Sequence, residues 1–157
     1  MRLHCIKRRT YTCNKFELPD IHIFMSLIHI RLYINKIVVR NVSTGKEVSG
    51  TPDTPFTTSR LLLGQMIPAM FLLKKLIKKV RKNTWYNFFL SNHHVIIQPM
   101  EMNEGGHSQV EFRAYIDLAK SITSSQKVNL CSPRLQPLSD NEIRQILSNN
   151  SLFGHNN

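Results

Sequence analysis

The sequence predicts an α/β domain: a mixed five-stranded sheet with the element order β-β-β-α-β-α-β-α. Three observations lead there. Ile28, Ile30 and Leu32 alternate with His29, Arg31 and Tyr33, the period of two of a half-buried strand. Ala69, Leu72, Leu73, Leu76, Ile77 and Val80 recur at spacings of three and four opposite a row of lysines, the period of a helix packed on a sheet. Finally, glycine, proline and capping-box residues cut the chain into short segments.

In chain order, Ile34-Asn35-Lys36 turns the first strand into a second, β-branched run at Ile37-Val38-Val39. Ser43-Thr44-Gly45-Lys46 is the next tight turn, with Gly45 free to take positive φ, and a short strand near Glu47–Ser49 completes an antiparallel meander. The two prolines of Thr51-Pro52-Asp53-Thr54-Pro55 mark a loop. The lysine-bearing helix follows, with Pro68 in its first turn, where a missing N–H is harmless. His94–Gln98 is an apolar strand stopped at Pro99, and a helix covers roughly Gln109–Ser121, its apolar side drawn from Val110, Ala114, Ile116, Leu118 and Ile122. Lys127–Leu130 reads as the last strand. Ser139 and Glu142 form a capping box that opens a helix through Ile143, Ile146 and Leu147.

A meander followed by βαβα implies that the first three strands are antiparallel and the last two join in parallel through right-handed crossovers. This is the order of the ribonuclease-H-like fold, which also forms half of each actin-type ATPase domain.

The 157 residues, 41% apolar, suit one domain spanning 25–149, with residues 1–24 an extension and 150–157 a frayed tail. No apolar run approaches the roughly 18–20 residues that span a bilayer. Basic residues open the chain, but Lys15, Glu17, Pro19 and Asp20 interrupt any signal-peptide core, so a cytoplasmic location is expected. Cys5, Cys13 and Cys131 form neither a disulfide framework nor a CxxC pair, and the reading is free thiols with no metal. Much of the net charge of +11 is concentrated in residues 1–24 and 74–82.

The chemistries open to such a fold lack their residues. Two-metal nucleases need converging carboxylates, yet residues 28–33 hold no acid and residues 60–82 offer only cations. An actin-type phosphate loop needs glycine and acid in the first hairpin, where this chain has LYINKI. Neither GxxxxGK[ST] nor GxGxxG occurs, and no GxSxG surrounds Ser108 beside His107. The His93-His94 pair reads as the polar edge of a strand rather than a metal site. The expectation is a protein that is not an enzyme and needs no cofactor.

Two features remain. Lys74, Lys75, Lys78, Lys79, Arg81 and Lys82 form a basic face, open to nucleic-acid phosphates or anionic lipid and otherwise a solvated surface. Trp85, Tyr86, Phe88 and Phe89 follow it and are expected to cap the core. Gly105 and Gly106, in EMNEGGHSQVEFRA, resemble a phosphate cradle, but Ser108 and Glu111 make an S-x-x-E capping box. Glu101, Glu104 and Glu111 surround that helix entrance with negative charge, so it is read as a turn that shapes an acidic loop.

The run MSLIHIRLYINKIVVRNVSTGKEVSG, with LLLGQMIPAMFLLKKLI, TWYNFFL and EMNEGG followed by SQVE, resembles the YjaA-like small enterobacterial stress-response proteins. The likeness covers about residues 25–149. Met25 falls where that family begins, so residues 1–24 are expected to be an extension or to lie upstream of the true start. The resemblance implies a cytoplasmic bacterial protein associated with acid, peroxide and cadmium stress and with biofilm formation, and it transfers no catalytic residues. A fainter likeness links residues 95–130 to rod-shape, actin-like proteins. The leading expectation is a non-enzymatic stress-response protein binding an unknown protein partner through one face of its sheet. The alternatives are a nucleic-acid-binding module using the basic helix, or a degenerate actin-like subunit.

Overall fold

The computed structural model describes residues 26–81, 94–123, 127–131 and 134–152, with residues 149–152 described by backbone alone. Residues 1–24, Met25, Lys82, the aromatic residues of 85–89 and His93, for which the sequence raised expectations, therefore lie outside the described residues, as does the part of the tail beyond residue 152.

The elements are β1 (Leu27–Tyr33), β2 (Lys36–Asn41), β3 (Glu47–Gly50), α1 (Met66–Val80), β4 (His94–Pro99), α2 (Gln109–Lys120), β5 (Val128–Leu130) and α3 (Asp140–Leu152). They build one mixed sheet in the order β3-β2-β1-β4-β5. β1 pairs antiparallel with β2 (Ile30 opposite Val39), and β2 antiparallel with β3. β4 lies parallel to both β1 and β5. The expected element order and sheet type both hold. α3 continues through residues 150–152, beyond the boundary expected at 149.

Local chemistry explains each turn. Asn35 takes φ 49 at the tip of the first hairpin, a left-handed geometry that asparagine tolerates better than most residues. Its side-chain carbonyl accepts from the amides of Phe56 and Thr57, both at 2.9 Å, and this clasps the hairpin to the following loop. Gly45 sits at φ 72, as the second turn requires.

α1 covers β2 and β3, and α2 covers β4 and β5. The main core lies beneath them and includes Ile28, Ile30, Leu32, Val39, Phe56, Leu73, Leu76, Ile97, Tyr115 and Leu118. All six apolar residues expected on the inner face of the lysine-bearing helix are buried. Val110 is not: it stands 78% exposed on the first turn of α2, while the helix buries Leu118 as expected, together with Tyr115 and Ala119.

The larger departure concerns the other face of the sheet. β1 was expected to be buried on one side only, yet His29 is 1% exposed and Arg31 is mostly buried. A second apolar cluster covers this side: Leu27, Val42, Ile96, Cys131, Leu138 and Ile143, backed by Ile146 and Leu147 of α3. Among the described residues, α1 and α2 thus lie over one face of the sheet and α3 over the other.

Candidate docking face and the buried polar clusters

The second face of the sheet is polar because its side chains satisfy one another. Gln98, fully buried on β4, accepts through Oε1 from the Leu138 amide at 3.1 Å and donates through Nε2 to the Gln136 carbonyl at 3.1 Å. Those two backbone partners fix the amide's orientation. His29 Nε2 lies 3.0 Å from the same Oε1, so that nitrogen carries the hydrogen and donates it. Burial lowers the His29 pKa from 6.5 to about 4, against the opposing pull of the Gln98 bond.

Beside this cluster, Arg40 grips Asp140 with two hydrogen bonds of 2.9 and 2.8 Å, joining β2 to the first turn of α3. That fork holds the Asp140 carboxyl below its ordinary value and the Arg40 guanidinium above its own. Glu47 of β3 stands 2.7 Å from Arg31 Nη2 and 3.6 Å from Arg40 Nη1. The Arg31 contact lies off the hydrogen-bond direction, so it is coulombic, and Arg31 Nε and Nη2 are buried without a hydrogen-bonded acceptor. An open cleft of about 360 Å³ lies among Arg31, Arg40, Glu47, Ser139 and Asp140. Its two cations already face two carboxylates. It serves to hold α3 on the sheet, and an added anion would meet Glu47 and Asp140.

Gly105 (φ 80) and Gly106 (φ 78) make the turn before α2, as expected. The capping box is complete: Ser108 Oγ accepts from the Glu111 amide, and Glu111 Oε2 accepts from the Ser108 amide at 2.9 Å. Burial works against the Glu111 charge, but the hydrogen bonds from the Ser108 amide and hydroxyl lower the carboxyl's pKa. Glu111 thus occupies the helix entrance where a phosphate would have to sit.

His107 is the residue that sequence reasoning undervalued here. Its side chain is fully buried, with Nε2 donating to Asn103 Oδ1 at 2.8 Å and Nδ1 placed 3.0 Å from the Tyr115 hydroxyl. Burial raises the Tyr115 pKa, so its hydroxyl stays neutral and donates to Nδ1. His107 stands one residue before the N-cap Ser108, so it meets Tyr115 of α2 from the loop and no helical spacing announces the contact. The cluster ties the loop to α2. It exposes no nucleophile, since Tyr115 is fully buried.

The basic face lies on the outward side of α1. Lys74, Lys75, Lys78 and Lys79 are all exposed on α1, and none has an ion pair among the described residues. Arg81 is only half exposed; it closes the helix by donating its amide to the Ile77 carbonyl. From Thr54 to Met100 the chain contains no Asp or Glu. Ile67 and Phe71, one turn apart on the same helix, are 68% and 72% exposed.

The geometry is joined by one comparison. Over 101 residues the chain is 34% identical to the uncharacterized protein YjaA of Escherichia coli strain K12, covering 63% of this chain and 78% of that protein. The chain belongs to the YjaA family. No protein-family model matches it. Within this family member, among the described residues, no group of three or more His, Cys, Asp or Glu side chains is placed to hold a metal, and no helix is long and apolar enough to cross a membrane.

Proposed function

We propose that this YjaA-family protein is a non-enzymatic bacterial stress-response protein that acts in the cytoplasm by binding a partner through the outward face of α1. The observation that carries the reading is the row of four exposed lysines, unpaired among the described residues, on a helix without a single acid. A solvated face selected only for solubility gains from mixed charge, because like charges one turn apart repel. The strand order β3-β2-β1-β4-β5 supports a ribonuclease-H-like topology. The strands that would carry its chemistry have no acid on β1 or β4, so the fold serves here as a scaffold. The stress context (acid, peroxide, cadmium and biofilm formation) is what the family likeness implies.

The test is a deletion strain challenged with acid, peroxide and cadmium, complemented by the wild-type gene or by Lys74/Lys75/Lys78/Lys79→Gln. Loss of protection in the deletion and in the variant supports the reading. Identical survival and biofilm in every strain would sink it.

Nucleic acid is the second reading, favoured by the ridge that Lys74 and Lys78 share one turn apart. It predicts affinity for an oligonucleotide that falls steeply with salt. No binding at low salt, or binding unchanged by the four substitutions, rejects it.

A further inference from the structure

Resting on the reading of α1 as the docking face, we infer that its partner is the surface of an anionic phospholipid bilayer. At 3.6 residues per turn, Ile67, Phe71, Lys74 and Lys78 fall within an arc of about 60°, and Lys75 and Lys79 flank it. The face therefore has two parts in axial order. Two large apolar side chains, 68% and 72% exposed, stand at the N-terminal end, and four exposed lysines occupy the C-terminal half.

Each part has a counterpart in a bilayer interface. Phe and Ile partition into the boundary between headgroups and acyl chains, and lysines above an anionic leaflet gain from its negative surface potential. Lysine stems are long enough to hold the ammonium at headgroup level while the helix lies close to the surface. The opposite side of α1 is fully used against the sheet, so the helix would dock as part of the folded domain. A phosphodiester backbone matches the lysines but gives Ile67 nothing to bury against. A protein partner would need an apolar pocket beside an acidic groove, whereas a lipid surface conforms to a convex helix without one. The absence of any acid from Thr54 to Met100 removes the local repulsion that an anionic surface would otherwise meet.

The experiment is co-sedimentation of the full chain with vesicles of equal parts phosphatidylglycerol and phosphatidylcholine, with pure phosphatidylcholine vesicles alongside. Binding should be confined to the anionic vesicles and weaken as salt shortens the reach of the charges. Lys74/Lys75/Lys78/Lys79→Gln should lower partitioning at least about tenfold, and Ile67→Ser/Phe71→Ser several-fold. Both variants alter exposed positions, and circular dichroism checks that they remain folded. Equal binding to both vesicle types, no binding at low salt, or binding indifferent to Ile67→Ser/Phe71→Ser overturns the inference. Oligonucleotide binding that needs the lysines but not Ile67 or Phe71, without vesicle binding, overturns it in favour of nucleic acid. In that outcome α1 survives as the docking face; a face variant that complements the deletion strain fully would instead remove the underlying reading.

Discussion

Lowering the pH should destabilise this protein through one buried histidine. His29 is 1% exposed, and its pKa falls from 6.5 to about 4 because burial disfavours the cation. The native state therefore resists a proton that the unfolded chain accepts. The stability tied to this group is complete above pH 6.5, declines as the pH falls, and is lost by about pH 4. A difference of roughly 2.5 pKa units at 1.36 kcal/mol each is on the order of 3 kcal/mol, a large fraction of a typical domain's 5–15 kcal/mol. Within the window the slope should be about 1.4 kcal/mol per pH unit, the uptake of one proton on unfolding. Urea unfolding followed by far-UV circular dichroism at several pH values between about 7 and about 4 measures it. Burial and Lys127 also lower the His94 pKa, so the slope of wild type alone is ambiguous. The decisive comparison is His29→Gln, which keeps a partner for the Gln98 amide and removes the titration. Equal pH slopes in wild type and His29→Gln would refute the reasoning.

Two further outcomes follow from the same structure. Gln98→Leu leaves the Leu138 amide, the Gln136 carbonyl and His29 Nε2–H without their buried partner, and should cost about 3–5 kcal/mol in urea unfolding; a loss below about 1 kcal/mol would show the network to be dispensable. Lys74/Lys75/Lys78/Lys79→Gln should leave stability unchanged or raise it by up to about 1 kcal/mol, with the gain vanishing near 1 M salt; a clear loss would mean that the lysines hold the fold together.

The parts of the fold that could be read from sequence are those that local chemistry dictates. The inner face of α1, the Ser108–Glu111 and Ser139–Glu142 capping boxes and the Gly45 turn follow from spacing alone, and each stands where it was expected. The second face of the sheet was hidden for a physical reason. Periodicity reports whether a residue is apolar, and a polar residue on the alternate face reads as exposed. Whether it is buried depends on a partner elsewhere: His29 finds Gln98 across 69 positions, and Arg40 finds Asp140 across 100. Gln98 did carry a clue, a lone amide in the run HVIIQP. Val110 failed for the opposite reason, since an apolar residue in the first turn of a helix can overhang the sheet and bury nothing.

The lysine face can be weighed by what folding requires of it. α1 needs its six inward residues, and it gets them without help from the outer arc. Lys78 and Lys79 near the C-terminus are favoured by the helix dipole, a contribution of some tenths of a kcal/mol each. Lys74 and Lys75 lie a turn further back, where that effect has faded and repulsion from Lys78 and Lys79 remains. Ile67 and Phe71 gain nothing from solvent either. Folding alone would be served as well or better by glutamates among the lysines and polar residues at positions 67 and 71. A surface that declines both of those substitutions is what contact with something negative and partly apolar would select. The buried polar clusters point the other way, since Arg31 and Arg40 face Glu47 and Asp140, and Glu111 is held by Ser108. Among the described residues, Glu47, Glu111, Asp140 and Glu142 are engaged within the domain, whereas the four lysines of α1 have no carboxylate beside them.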